Sequence, residues 1–359
     1  MTGTDARIDV FGLTLAELVE AAKSLPSGRG AASAIYARSL REGRSAPDGS
    51  VDPSGLGLSP ASEAAWRGAF RAGLLEIADL VEEAGEAGST TKAVLITEDG
   101  ERIECVRIPM PGSDGTKSTL CLSSQAGCRM GCAFCETGRK PFARNLSAAE
   151  IVSQAATTRA RLGWRCGNIV FMGMGEPLDN FDELARALAV LNEPRGLGYS
   201  WERLTVCTSG PPGGIERLRA LGLKRLGLSI SLNAAADEAR TAIMPVNSLN
   251  GLSALAASLA AYPQRRNFAL GVNWCLIPGL NDSREDAAGA AAFCARIGRC
   301  VVNLIPYNPG TSPLARAPSE GEIELFAARL EEHGCLVKRR AAKGTSIMAG
   351  CGQLSGRSG

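Results

Sequence analysis

The sequence predicts an α/β chain, a partial (β/α)6 barrel with a small N-terminal helical domain. Three observations lead there. Downstream of residue 118, short β-rich runs alternate with amphipathic helical stretches, the pattern of parallel strands joined by right-handed crossovers. Upstream of residue 90 the apolar periodicity is mostly helical. The 359 residues are 45% hydrophobic and 21% charged, ordinary usage for a chain that buries a full core and long enough for a barrel with an appendage.

Residues 13–25, 31–40 and 64–84 carry helical spacing, the last through Leu74, Leu75, Ile77, Leu80 and Val81. Residues 43–60, rich in Gly, Ser, Pro and Asp, read as a surface connection. From 92 to 109 apolar and polar residues alternate around Glu98-Asp99-Gly100, which predicts a β-hairpin. Strands are then expected at 119–123, 168–172, 204–208, 226–231, 269–276 and 300–305. Six units suit a partial barrel better than a closed eight-stranded one, and active-site residues should follow the strand ends. The expected domains are 1–98, a helical accessory domain leading into the hairpin; 99–349, the partial barrel; and 350–359, a C-terminal tail.

The 39 basic and 37 acidic residues leave a net charge of +2, so any surface for a polyanion must be local. Asp5, Arg7 and Asp9 open the chain without an apolar run behind them, which does not resemble a secretory signal, and no window has membrane-spanning length. Twelve cysteines in that setting point to reduced thiols in the cytoplasm, engaged in metal binding or chemistry. The single histidine, His333, sits on a polar helix and reads as a solvated side chain.

Three of the thiols lie within eight residues. Thr119-Leu-Cys-Leu-Ser-Ser-Gln-Ala-Gly-Cys128 runs from a strand into Arg-Met-Gly-Cys132-Ala-Phe-Cys135. Thiolates spaced this way on one loop can hold three irons of a 4Fe-4S cube and leave the fourth open. A structural zinc ion would want a closed set of four ligands, and the loop offers no fourth Cys or His. Glycines in Phe171-Met-Gly-Met-Gly-Glu-Pro-Leu178 let backbone approach a ligand closely, with Glu176 as an acceptor. Cys105, Cys207, Cys275 and Cys300 fit small buried hydrophobes on strands, as Cys121 also can. Cys351, between Gly350 and Gly352, reads as a thiol on a mobile tail with little apolar company.

Cys128-x3-Cys132-x2-Cys135 is the motif of the radical S-adenosylmethionine superfamily. With Ile103-Glu-Cys-Val-Arg-Ile-Pro109, the Phe171–Leu178 motif, Cys207-Thr-Ser-Gly210, Ser229-Ile-Ser-Leu-Asn233, Asn303-Leu-Ile-Pro-Tyr-Asn-Pro309 and Gly350-Cys-Gly-Gln-Leu354, the chain resembles the RlmN/Cfr family of RNA adenine methyltransferases. The resemblance implies a radical-SAM barrel, a 4Fe-4S cluster on Cys128, Cys132 and Cys135, and two S-adenosylmethionine molecules per turnover. It implies cofactor contacts from Gly175, Glu176, Ser209, Ser231, Leu232, Asn233 and Asn308. It further implies that Cys351 accepts a methyl group, that a 5′-deoxyadenosyl radical then activates it, and that the carbon adds to adenine. Cys121 would resolve the protein–RNA adduct by forming a disulfide with Cys351, and Glu104 would accept a proton; by itself a strand glutamate of this kind reads as solvated surface. The implied partners are rRNA or tRNA and an electron donor such as flavodoxin with its reductase; the protein is expected to be a cytoplasmic monomer.

Departures from the family pattern fall near the substrate. Asn233 replaces the usual histidine, Trp274-Cys275 stands where Glu and Tyr are usual, and Gly344-Thr-Ser-Ile-Met-Ala-Gly350 lacks the family's acidic residue. Carbon 2 and carbon 8 of adenine are therefore both open as targets, as are a non-RNA substrate and a silent RNA-binding relative. Short basic clusters, Arg139-Lys140, Arg144, Arg265-Arg266 and Lys338-Arg339-Arg340 with Lys343, are the candidate phosphate contacts beside ordinary surface.

Overall fold

The structure is a computed structural model that describes residues 5–110, 117–263 and 269–355. The N-terminal part pairs β1 (Ile8–Asp9) and β2 (Phe70–Arg71) around α1 (Leu15–Ala21), α2 (Gly28–Ala37) and α3 (Pro60–Ala69). Three antiparallel strands follow: β3 (Glu76–Glu83), β4 (Thr90–Ile96) and β5 (Arg102–Pro109). The chain then runs β6 (Ser118–Cys121), the small pair β7 (Gln125–Ala126) and β8 (Arg144–Asn145), and α4 (Ala148–Leu162). Next come β9 (Asn168–Phe171), α5 (Phe181–Asn192), β10 (Leu204–Thr208), α6 (Gly214–Ala220), β11 (Gly227–Ser231), α7 (Asp237–Ile243) and α8 (Leu252–Ala260). The last elements are β12 (Leu270–Leu276), α9 (Arg284–Ile297), β13 (Cys300–Pro306), α10 (Glu320–Glu332) and β14 (Val337–Arg339).

All ten long-sheet strands form one sheet in the order β14-β13-β12-β11-β10-β9-β6-β5-β4-β3. From β6 to β14 every neighbour is parallel, as β/α alternation requires. Helix starts are set locally: Thr14 with Glu17, Ser147 with Glu150, Ser283 with Asp286 and Ser319 with Glu322 each form a reciprocal capping box.

The sheet is curled, and chain reach shows it. Gly344 and Ser346, just after edge strand β14, donate their backbone N–H groups to Glu83 on the opposite edge strand β3. Five residues of chain span at most about 18 Å, whereas ten flat strands would set the edges roughly 43 Å apart. The two edges are therefore brought together, joined by the C-terminal segment rather than by strand pairing.

Two expectations are corrected. The helix expected over 64–84 ends at Ala69, and Glu76–Glu83 is an edge strand with alternating exposure. Its apolar residues suit either period, and pairing with β4 decides the matter, a tertiary override of local pattern. The parallel part has a seventh strand, Val337–Arg339, whose three residues are too short and polar to register as an apolar run.

Candidate active site

Beyond β6 the chain turns sharply, and buried amides fix the turn. The Ser123 N–H donates to Gln154 Oε1 at 2.9 Å, while Gln154 Nε2 donates back to the Ser123 carbonyl at 2.8 Å. Asn180 Nδ2 donates to the carbonyls of Ser124 and Leu146. So anchored, the loop presents Cys128, Cys132 and Cys135, each half-buried, on the wall of one cavity. Burial pushes the Cys128 thiol up to about 12 and raises Cys132 and Cys135 as well. Bare, the loop favours neutral thiols, so taking up iron must release protons. Three thiols from one loop bordering one cavity are the number and type of ligand that three corners of an iron–sulfur cube take.

Across the cavity, β9 ends in the Gly-rich turn. A Cβ on Gly175, at φ +96°, would lie 2.5 Å from Gln125 Cβ, and one on Gly173 would lie 2.6 Å from the Leu122 carbonyl, so only glycine fits at either position. Glu176 is 4% exposed, and both its oxygens are engaged. The Thr208 hydroxyl and Leu178 N–H donate to Oε1 at 2.7 and 3.0 Å, and the Ser209 N–H and hydroxyl to Oε2 at 2.7 and 2.8 Å. Desolvation nonetheless raises its pKa, against the pull of these donors. Gly175, Glu176, Ser209, Ser231 and Asn233 all line the cluster cavity. Leu232 does not: it is fully buried. Asn233 sits at φ +58°, a left-handed position that asparagine tolerates, and accepts the Cys275 N–H at 2.8 Å.

One residue had no signal in the sequence. Arg240, fully buried, donates to the carbonyls of Leu232, Ser209 and Ser231 and to Asn247 Oδ1 at 2.7–3.0 Å. A single guanidinium thus ties together the ends of β10 and β11. Burial lowers its pKa to about 10, while Cys132 and Asp237 pull the other way. Arg240→Met should cost roughly 3 kcal/mol or more of stability, because several buried carbonyls lose their donor. Urea unfolding would measure this, and an unchanged midpoint would mean that the carbonyls find other partners.

Cys351 is held, not mobile. Asn308 Nδ2 donates to its carbonyl at 3.2 Å, and the Glu136 N–H and Thr137 hydroxyl donate to the carbonyls of Gly352 and Leu354 at 2.7 and 2.6 Å. Gln353, 2% exposed, donates to the Pro309 carbonyl and accepts the Gly350 N–H. These partners lie far away in sequence, which is why a Gly-flanked thiol looked loose. Cys351 is reachable because it lines both the cluster cavity and a second cavity behind it. Burial raises its thiol pKa, and Arg340 opposes that shift.

Cys121 is buried; desolvation, with a smaller contribution from the Cys351 thiolate, pushes its thiol up to about 12. It lines neither cavity, whereas Cys207 lines both and Cys275 lines the first. Cys207 is buried as expected and Cys275 is half-buried, and both also border a cavity. Asn308 lines the second cavity and not the one bordered by Cys128, Cys132 and Cys135.

Glu104 is fully buried, not solvated. Its Oε1 lies 3.3 Å from the buried Lys92 ammonium, and its Oε2 accepts the Ser355 N–H at 2.8 Å. Lys92 in turn donates to the Met348 carbonyl. The pair grips the C-terminal segment on both sides of Cys351, and Glu104 meets neither cavity.

Of the basic clusters, Lys338, Arg340 and Lys343 line the second cavity. Arg144 is engaged by Asp99 and Glu150, Arg339 by Glu320 and Glu324, and Arg139 by Glu136. Arg265 and Arg266 lie outside the described residues. A roomier cavity of about 910 Å³ near Asp5, Asp9, Arg71 and Glu98 carries ion pairs but no thiol. Among the described residues no helix is long and apolar enough to cross a membrane.

Residues 122–290 match the radical SAM superfamily. The chain is 42% identical over 284 residues to a dual-specificity RNA methyltransferase RlmN of Syntrophotalea carbinolica, covering 78% of this chain and 74% of the relative. It is 39% identical over 355 residues to a probable RNA methyltransferase of Sorangium cellulosum, covering 96% and 85%. Its fold is similar to the crystal structure of a radical SAM methyltransferase from Sphaerobacter thermophilus, with a TM-score of 0.84, 33% identity, and 98% and 100% coverage.

Proposed function

The chain belongs to the RlmN/Cfr family of radical S-adenosylmethionine RNA methyltransferases, and on that premise we propose that it methylates an adenosine of large-subunit rRNA or tRNA through a methyl group carried on Cys351. One observation carries the reading: Cys351 stands on the shared wall between the cavity of the cluster thiols and a second cavity lined by Lys338, Arg340 and Lys343. When bound, the cluster and S-adenosylmethionine supply a transferable methyl group and the power to remove a hydrogen atom from an S-methyl group.

The protein's own groups do the rest. Cys128, Cys132 and Cys135 hold the cluster, and Gly175, Glu176, Ser209, Ser231 and Asn233 shape the cofactor's bed. The Cys351 thiol loses its proton and gains the methyl carbon. After that carbon has lost one hydrogen atom it bonds to an electron-poor ring carbon of adenine, a position that cannot itself attack a methyl sulfonium. The adduct gives up one electron to the oxidised cluster and its ring proton to a base. The Cys121 thiolate then bonds to the Cys351 sulfur as the sulfur–carbon bond breaks, the freed carbon takes up a proton, and two electrons from a reductant restore the thiols. Glu104 is the carboxylate assigned to the ring proton, which reaches it only when its Ser355 contact opens. A flavodoxin with its reductase supplies electrons, and two S-adenosylmethionine molecules are consumed per turnover.

Anaerobic turnover with reconstituted protein and bulk rRNA and tRNA tests the reading. Equal yields of 5′-deoxyadenosine and S-adenosylhomocysteine, with methyladenosine in the RNA, are expected. Cys132→Ala should lose iron and 5′-deoxyadenosine together, since each thiolate holds its own iron. Products in the absence of RNA methylation would point to the non-RNA substrate instead.

A further inference from the structure

The seam between the two cavities holds a buried donor without a partner. Asn273, paired in register with Asn303 on the neighbouring strand, is 4% exposed and lines both cavities together with Cys351 and Cys207. Its Nδ2 has no hydrogen-bond partner among the described residues. A buried amide group left open in this way is costly, and native proteins retain one where a ligand completes it.

Chemistry fixes which end of the amide is left unpaired. Arg340 can only donate, and its Nε and Nη2 lie 3.1 and 2.7 Å from Asn303 Oδ1. Asn303 must therefore turn its Nδ2 toward Asn273, whose Oδ1 accepts it at 3.0 Å. That leaves the Asn273 Nδ2, and not its oxygen, buried and without a partner among the described residues, on a residue that borders both cavities. Flipping either amide would set oxygen against oxygen or nitrogen against nitrogen somewhere along the relay. Ser231, its register partner on β11, also lines the first cavity, yet no hydrogen bond joins it to that Nδ2.

We propose that Asn273 is a substrate-recognition residue: its Nδ2 donates to a ring nitrogen of the target adenine beside the carbon that receives the methyl group. The inference rests on the reading of the site as RNA-methylating and goes beyond it by naming the contact. The base edge that reacts must face the Cys351 sulfur, so a donor on the same seam meets the nitrogens flanking the reacting carbon. Those are N1 and N3 for carbon 2, and N7 for carbon 8. A donor there also draws electron density from that carbon, which favours attack by an electron-rich carbon radical. Arg340 and Asn303 act as positioning residues, because they set the polarity of the amide. Glu176 and Ser209 line the first cavity with Asn273, so S-adenosylmethionine affinity is measured separately from base recognition.

The test compares wild type with Asn273→Asp and Asn273→Ala in single turnover. The probe is a transcript containing the adenosine that wild type methylates, made with ATP or with 1-, 3- or 7-deaza-ATP. Iron content, S-adenosylmethionine affinity and methyl-Cys351 yield, read by mass spectrometry, report the fold and the cofactor side. All three should match wild type in both variants. RNA methylation should fall roughly tenfold to a hundredfold, most in Asn273→Asp, which presents an acceptor to an acceptor. One deaza transcript should cost wild type a similar factor and cost Asn273→Ala nothing further. Normal RNA methylation by Asn273→Asp, additive losses with every deaza transcript, or a selective loss of S-adenosylmethionine affinity would each overturn the assignment. Wild type that forms methyl-Cys351 but methylates no RNA would instead overturn the underlying reading, and this one with it.

Discussion

Cys351→Ala protein should hold its full complement of iron and bind S-adenosylmethionine, yet transfer no methyl group, either to itself or to RNA. Among the described residues of the C-terminal segment the thiol is the only acceptor on both cavities, and the backbone of residues 350–352 is held by Asn308, Glu136 and Gln353 irrespective of that side chain. Removing its sulfur therefore deletes a nucleophile without loosening the segment. The loss should exceed roughly a thousandfold, the scale seen when a covalent nucleophile is deleted. Cys351→Ser should be equally inactive, since an alcohol oxygen is a far poorer methyl acceptor than sulfur. Labelled methyl transfer, scored separately on protein and RNA, reads the result. Methyl-RNA from Cys351→Ala at a tenth of the normal rate would assign the methyl carrier elsewhere, to Cys207 or Cys275.

Cys121→Ala should show the opposite pattern. Cys351 still takes the methyl group and still joins the base, but the thiol that frees the product is gone, so protein covalently joined to RNA accumulates. Denaturing gels with labelled RNA, with and without nuclease, would display it as a band near one equivalent per active protein. Because Cys207 lines both of the cavities that Cys351 lines, Cys207→Ser belongs in the same experiment. Adduct in Cys121→Ala alone supports the assignment, whereas adduct in Cys207→Ser alone would give the resolving role to Cys207.

What could be read in the sequence was local. The Cys128, Cys132 and Cys135 spacing, the glycines around Glu176 and the alternation of β-rich and helical runs all lie within short windows; the alternation forms the parallel strands, and the three thiols line one cavity with Gly175 and Glu176. What escaped was long-range. Arg240 binds carbonyls from two strand ends, Glu104 and Lys92 meet over the C-terminal segment, and Gln353 reaches back to Pro309; none of these partners is near in sequence. Cys207 and Asn273 were hidden for another reason. On a strand of a curled sheet, a residue facing the core and one facing a cavity have the same spacing, so alternation cannot distinguish them. The edge strand Glu76–Glu83 misled because Ile77 and Val81 are four apart, which fits one face of a helix as well as one face of a strand.

The central claim is that Cys351 carries the methyl carbon and that this carbon loses a hydrogen atom before it reaches the base. The most direct test is anaerobic turnover with S-adenosylmethionine bearing a trideuterated methyl group, followed by mass spectrometry of the RNA nucleosides. A carbon that gives up one deuterium and later regains a solvent proton yields methyladenosine with two deuterium atoms, and this is the predicted product. Methyladenosine retaining all three would mean a direct polar transfer and would contradict the account.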